Sequence, residues 1–322
     1  MYTKMRILLF LLISSFHLTG YDFDHPKYEL IQKALVEEHN FSAEEIKLII
    51  GQAEKQQKII DSMNSPAEFT WTWDRYRKLF IEPKRIKNGK LFIKNNLETL
   101  ERAEAQFGVP KEVITAILGV ETRYGKIMGS YRVLDALSTL SFDYPRRSNF
   151  FSQELINLLL LARENNLDIF KLKGSYAGAM GYGQFIPSSY RAYAVDFDND
   201  GSVDLLNSVE DAIGSIGNYL FQHGWKSNYP IIWEVNNSFK SFNLDLVNNV
   251  RKKVNFDSKT MSPKNAIDFN FEGLNTDVLL LSYETNKSTN YFVGTRNFIA
   301  ITKYNVSHFY AKAVYDLAQE FL

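Results

Sequence analysis

The chain contains no cysteine. That absence excludes disulfide frameworks, thiol nucleophiles, cysteine-ligated zinc and a lipid-modified N-terminal cysteine. Five scattered histidines offer little for a histidine-ligated zinc centre. Neither sign of charge is in excess, because 37 Lys and Arg stand against 37 Asp and Glu. The whole chain therefore lacks the basic surplus of a nucleic-acid binder, although a local patch is compatible with a neutral total. Past the first residues, no stretch approaches the roughly eighteen unbroken apolar residues that a transmembrane helix needs. Internal repeats and low-complexity tracts are absent too.

What is present starts at the N-terminus. Lys4 and Arg6 precede residues 7–16 (ILLFLLISSF), an apolar stretch interrupted only by serines. A positive segment followed by so short an apolar one reads as a secretory leader, with cleavage expected near Gly20; an uncleaved anchor is the other reading. A hydrophobic fraction of 45% over 322 residues supplies ample core for two or three packed units.

The order of patterns along the chain predicts a mainly α (α+β) protein. Residues 28–102 read as helices with polar connections, including one amphipathic helix over 43–63 and an aromatic, basic cluster at 71–80 (WTWDRYRKLF). Helical spacing continues from Pro110 to Trp225, with glycine-rich joints at 125–129 and 174–183. After Pro230 the texture changes. Runs at 231–235, 278–283 and 291–293 are β-branched or aromatic and separated by turn residues, and 298–303 adds a further candidate strand. Residues 307–322 return to helical spacing.

One carboxylate stands out. Pro110 suits the first turn of a helix, and Ile114, Ile117, Leu118 and Glu121 then recur at spacings of three and four, so Glu121 shares the apolar stripe. An acid facing an apolar interior is disfavoured when charged, the condition a general acid needs near neutral pH. Spacing alone leaves the alternative that Glu121 ends a helix and pairs with Arg123 or Lys126.

Longer motifs weigh on that choice. Residues 117–125 (ILGVETRYG), 132–147 (RVLDALSTLSFDYPRR), 173–195 (KGSYAGAMGYGQFIPSSYRAYAV) and 302–314 (TKYNVSHFYAKAV) occur in the order found in the B-type lytic murein transglycosylases, which the chain resembles. The resemblance implies a lysozyme-like core and Glu121 as the only catalytic carboxylate. In this mechanism Glu121 protonates the oxygen between N-acetylmuramic acid and N-acetylglucosamine. It then takes the proton of the muramic C6 hydroxyl, giving a 1,6-anhydro end without water; a tethered hydroxyl competes well with solvent. Ordinary glycosidases use two carboxylates, and Asp135 and Asp143 are the nearby candidates for a second. The resemblance also places Ser175, Tyr176 and Gln184 at the sugar, with Tyr76, Tyr304, Asn305 and Tyr310 along the groove. Phe150 stands where the family often has tyrosine and is left out. Arg146 and Arg147 read either as contacts to peptide-stem carboxylates or as solvated surface. The glycine run at 178–183 lacks the Gly-Lys-Ser/Thr ending of a phosphate loop.

Asp196, Asp198 and Asp200, Gly201 at the sixth position and Ser202 at the seventh match the start of an EF-hand loop between two helical patterns. Position twelve is Asn207, which lacks the usual closing carboxylate. The family's loop is longer, and alignment on the segment D-A-I-G-S puts closure at Asp211, with Glu210 as the substitute one residue away. An all-oxygen donor set favours structural calcium; no organic cofactor is expected. The partner expected is a peptidoglycan glycan strand, with other cell-wall enzymes as further candidates and no nucleic acid, and the protein is expected as a monomer in the periplasm. The units expected are a signal peptide (1–20), an N-terminal helical domain (21–103) joined by the C-terminal helix (304–322), a lysozyme-like core with the calcium loop (104–228) and a small β-rich domain (229–303).

Overall fold

The computed structural model describes residues 21, 23–64, 71–236, 238–239, 242–267, 269, 277–285 and 288–322. The leader expected over residues 1–20 lies outside the described residues. Helices α1 (Pro26–His39), α2 (Ala43–Ile50), α3 (Gln57–Asn64), α4 (Trp73–Phe80), α5 (Pro83–Asn95) and α6 (Leu97–Phe107) come first. They are followed by α7 (Lys111–Thr122), the short strand β1 (Tyr131–Arg132), α8 (Val133–Asp143) and α9 (Ser148–Glu164). Strand β2 (Lys173–Gly174) pairs antiparallel with β1 and leads into α10 (Pro187–Tyr193) and α11 (Val209–Gln222).

The single helix expected over 43–63 is two helices. Ser42 caps α2 by accepting the Glu45 N–H at 3.0 Å. Beyond Gly51 the backbone turns away because α8 intercepts it: Asp135 Oδ1 accepts the Glu54 N–H at 2.8 Å, and Thr139 Oγ1 accepts that of Gln56 at 3.0 Å. Arg132 adds a bond to the Gln52 carbonyl at 2.6 Å. Bonds from a distant helix thus replace the next turn of this one, and no pattern within 43–63 reveals them.

The β-rich region forms an antiparallel sheet in the order β3 (Ile232–Val235), β6 (Thr289–Gly294), β5 (Asp277–Glu284), β4 (Val254–Asn255), with the short helix α12 (Ser258–Met261) beside it. Its central strand is buried on both faces. Leu279, Leu281 and Tyr283 join the main helical core, whereas Val278 and Leu280 join a smaller core with Trp233, Val235, Phe239, Met261 and Val293. The two-residue period of a strand therefore rivets the sheet to the helices with one face and closes its own core with the other.

Residues 298–303, expected as a strand, belong to helix α13 (Arg296–Tyr304). Thr295 caps it by accepting the Asn297 N–H at 3.1 Å, and Phe298, Ile299, Ile301 and Thr302 are buried around it. Burial on nearly every side makes β-branched residues serve a helix, overriding their intrinsic preference. Helix α14 (His308–Gln319) then returns to pack on both α7 and α4. The result is the mainly helical architecture with a small sheet region that the sequence pattern predicts.

At the start of α14, burial lowers the His308 imidazole to about 4. Its Nδ1 is enclosed without a hydrogen-bond partner. An imidazole neutral in the folded chain but protonatable when unfolded adds stability that is complete above about pH 6.5. That stability is lost as pH falls through about 4. Melting temperatures of wild type and His308→Phe should therefore diverge through this window, the wild type losing more on acidification. Parallel curves would refute the assignment.

Candidate active site

Helix α7 is apolar on almost every side, with Val113, Ile114, Ala116, Ile117 and Leu118 buried, as a helix inside a core must be. Its end is sharply defined. Arg123 and Tyr124 adopt left-handed backbone at φ 53° and 63°, and Gly125 follows at 83°. Thr122 Oγ1 donates to the Tyr182 carbonyl at 2.8 Å and accepts the Gly125 N–H at 2.9 Å. The Tyr124 hydroxyl reaches the Arg85 carbonyl on α5 at 2.8 Å. Glu121 thus projects from the last turn of a helix anchored to two separate segments, and it is half-buried.

Across from it, Ser307 accepts the Tyr310 N–H at 3.2 Å and starts α14, which aims the Tyr310 hydroxyl at Glu121. That hydroxyl donates to Glu121 Oε1 at 2.6 Å. Tyr310 is 2% exposed. Burial, and then the neighbouring Glu121 charge, push its phenol well above the ordinary range, so it stays a donor throughout the working pH range. Tyr304 lies parallel to Tyr310 with ring centres 6.5 Å apart. Its hydroxyl donates to the Gly183 carbonyl at 2.6 Å, and burial together with Glu121 raises it likewise.

The glycine-rich loop supplies the other wall. Met180 and Phe185 exchange backbone hydrogen bonds at 2.9 Å, which forces the intervening chain into a tight turn. Gly181 takes φ 71°, and a Cβ there would meet the Leu205 carbonyl oxygen at 2.2 Å. Gln184 is also left-handed at φ 52°, a conformation that glutamine adopts only when its surroundings impose it. Its Nε2 donates to the carbonyls of Met128 and Gly181, both at 3.0 Å, so the amide plane is fixed. Ser175 Oγ accepts the Ala179 N–H at 3.1 Å, and the adjoining Tyr176 is exposed.

The sequence-derived residues therefore divide. Hydrogen bonds link Glu121 to Tyr310, Tyr304 to the loop at Gly183, and Gln184 to the segment after α7. Asn305 is exposed between α13 and α14. Tyr76 does not line an open groove in this state: it is 2% exposed and packed among Trp73, Phe80 and Phe309. Arg146 and Arg147 stand exposed on a 3-10 turn, Pro145–Arg147. The Arg147 guanidinium lies 4.4 Å from the Phe150 ring, and its cleft, about 950 Å³, is shared with residues 247–252 and Val306. Asp143 pairs with Lys55, and Asp135 with Arg132, both at 2.5 Å, so each candidate second carboxylate is tied to a cation.

Sequence reasoning missed a cavity of about 110 Å³ beside Gln184 and Tyr304, lined also by Phe185, Ile186, Ser189, Tyr219 and Lys303. Tyr219 lies outside the motifs quoted above and its helical spacing marks it as core, while Lys303 lies in the 302–314 motif but in a stretch whose pattern reads as a strand.

In the acidic loop, carboxylate oxygens of Asp196, Asp198 and Asp211 lie within 4.8 Å of one another. Asp211 is buried at the start of α11, its Oδ1 accepting the Phe197 N–H and its Oδ2 the Asp204 N–H, both at 2.7 Å. Burial raises its pKa and Asp198 adds to this, against the lowering by those N–H groups. Asp200 lies outside the trio; its Oδ1 accepts the N–H and hydroxyl of Ser202 at 2.8 and 3.0 Å. Glu210 is not part of the trio either. Three convergent oxygen donors of like charge suit a hard divalent cation.

Known proteins resemble this chain over nearly its whole length. The family model described as a transglycosylase SLT domain matches residues 23–319. The chain is 39% identical over 313 residues to membrane-bound lytic murein transglycosylase B of Escherichia coli (strain K12), covering 93% of this chain and 84% of that protein. Among solved structures, the Escherichia coli lytic transglycosylase SLT35 in complex with calcium superimposes with a TM-score of 0.83 at 38% identity, covering 94% of this chain and 95% of the other. Soluble lytic transglycosylase SltB1 from Pseudomonas aeruginosa gives 0.80 at 40% identity, covering 92% and 98%. With a match across nearly its whole length, this chain belongs to the transglycosylase SLT domain family.

Proposed function

We propose that the chain is a lytic transglycosylase that cleaves the β-1,4 bond between N-acetylmuramic acid and N-acetylglucosamine in peptidoglycan, with Glu121 as its catalytic carboxylate. The observation that carries this reading is the Glu121 side chain at the end of a buried helix, its Oε1 held at 2.6 Å by a phenol that stays protonated. The engagement of Asp135 and Asp143 with Arg132 and Lys55 favours the one-carboxylate route over a lysozyme-like hydrolysis through a second acid.

In the reaction, Glu121 gives its proton to the bridging oxygen as the bond to the muramic anomeric carbon breaks. The substrate's acetamido oxygen supports the positive charge developing on that carbon. The ionised Glu121 then takes the proton from the C6 hydroxyl as its oxygen bonds to the anomeric carbon, closing the 1,6-anhydro ring and restoring the acid. Tyr310 keeps the carboxyl from swinging between the two transfers, and Gln184, its amide fixed by two carbonyls, presents a rigid polar group to the sugar. Ser175, Tyr176, Tyr304 and Asn305 complete the groove in this reading, and Tyr76 supports Tyr310 from the core. Arg146 and Arg147 serve the peptide stem. The division into 21–103 with 304–322, 104–228 and 229–303, the monomeric state and a periplasmic site after export belong to the same reading. No described helix is long and apolar enough to cross a membrane.

Asp196, Asp198 and Asp211 would hold a calcium ion, with Asp200 and Ser202 joining from the exposed side of the loop. When bound, the ion supplies charge neutralisation and no chemistry. The chain's own part is to anchor α11, through Asp211, to the loop that follows α10.

Glu121→Gln should lower the rate of anhydromuropeptide release by about 10²–10⁴-fold. Mass spectrometry of digested murein sacculi checks it, and reducing ends in place of anhydro ends would overturn the mechanism. Tyr310→Phe should keep the fold but cost about ten- to a hundredfold in rate, as loss of a hydrogen bond to a charged group does. A wild-type rate would remove Tyr310 from the mechanism. Calcium at about a hundred times its dissociation constant should raise the melting temperature by about 4 °C, and Asp211→Asn should abolish the rise. Identical melting in calcium and in chelator would dismiss the ion.

A further inference from the structure

Helix α5 concentrates charge that the rest of the neutral chain does not predict. Its thirteen residues (PKRIKNGKLFIKN) hold four lysines and an arginine and no acid. At 100° per residue, Lys84, Lys87, Lys90, Leu91 and Lys94 fall on one side, and all five are exposed. Arg85 and Gly89 occupy the opposite side and are buried. There a Cβ on Gly89 would meet the ring of Phe321 at 2.4 Å and the Tyr124 hydroxyl at 2.6 Å. None of these four lysines has an ion-pair partner among the described residues. Glu82, which caps the helix, is spent on Lys84 N–H and on Arg123, and the next acid, Glu98, stands on α6. Leu91, 52% exposed, sits in the middle of the lysine face.

We propose that this face of α5 docks the protein on an anionic phospholipid surface. Four unpaired ammonium groups on one rigid helix face complement a layer of lipid phosphates, and each lysine near such a surface strengthens binding by about fivefold. The central leucine distinguishes the occupant. It gains from entering the boundary between headgroups and acyl chains, whereas an acidic wall polymer offers it nothing apolar. The docking face lies on the side of α5 turned away from Tyr124 and the end of α7, so an adsorbed molecule keeps its Glu121 side accessible to murein. The surface is independent of the catalytic reading, because none of its side chains touches the groove.

The test is co-sedimentation of the full chain with vesicles of phosphatidylcholine alone or with about one-quarter phosphatidylglycerol. The readout is the difference between the two lipids, which subtracts any contribution of the apolar N-terminal segment. Wild type should prefer the anionic vesicles and be released when salt rises from about 0.05 to about 0.5 M. The variant Lys84→Gln/Lys87→Gln/Lys90→Gln/Lys94→Gln should lose about six hundredfold of that preference, with melting temperature and murein cleavage unchanged. In the otherwise cysteine-free chain, Leu91→Cys carrying an environment-sensitive dye should shift to the blue on anionic vesicles only, a second measurement that keeps all four lysines. Equal binding of wild type and the lysine variant, no preference for the anionic lipid, or a dye that stays in water would overturn the proposal. So would a variant that lost retention on murein sacculi while vesicle binding was unchanged, which would make an acidic wall polymer the partner.

Discussion

The hydrogen bond from Tyr310 to Glu121 joins residues 189 positions apart, and much of the architecture can be read as what makes it geometrically available. Helix α7 must be buried for its last turn to be rigid, and α14 must return across it to bring the phenol within 2.6 Å. The return is secured by aromatic and ionic packing. Lys312 on α14 pairs with Asp316 and lies between about 5 and 6 Å from the rings of Trp73, Tyr283, Phe292 and Tyr315. Those rings come from α4, from both long strands of the sheet and from α14 itself. A mostly buried ammonium ion among aromatic faces, matched by one carboxylate, has few alternative arrangements, so it fixes the relative placement of three regions.

The sheet contributes through its two-sided strand. Because β5 buries alternate residues in two different cores, sliding by one position would send every side chain to the other core and take Tyr283 away from the helices. Tyr283 from this strand donates its hydroxyl to the His308 carbonyl at 3.0 Å, tying the sheet to the first residue of α14. Through that tie the β-rich region, with no residue at Glu121, still sets the position of the helix that carries Tyr310.

The acidic loop plays the corresponding part on the other side. Asp211 accepts three backbone N–H groups from the loop while buried near Asp198, an arrangement in which attraction to the N–H dipoles works against repulsion between carboxylates. Arg102 stacks 4.3 Å from the Phe197 ring and donates to the Phe197 carbonyl at 2.5 Å, so α6 supports the loop from beneath. Charge is handled locally throughout the molecule, and the neutral total hides one acidic loop and one strongly basic helix.

Short-range features were legible from the sequence. Helix α7, the place of Glu121 on its apolar stripe, the acidic loop with Gly201 at its sharp turn and the switch to strands after Pro230 all follow from spacing within about fifteen residues. The break at 51–56, the helix over 298–303, the burial of Tyr76 and the left-handed Gln184 did not follow from it. Each is imposed by a partner far along the chain: α8 side chains for the break, full burial for the helix, the ring cluster around Phe309 for Tyr76 and the Met128 carbonyl for Gln184. Periodicity records which side of an element is apolar, and it does so residue by residue. Which distant group completes a hydrogen bond or covers a ring depends on how the elements meet, and only the tertiary structure decided that.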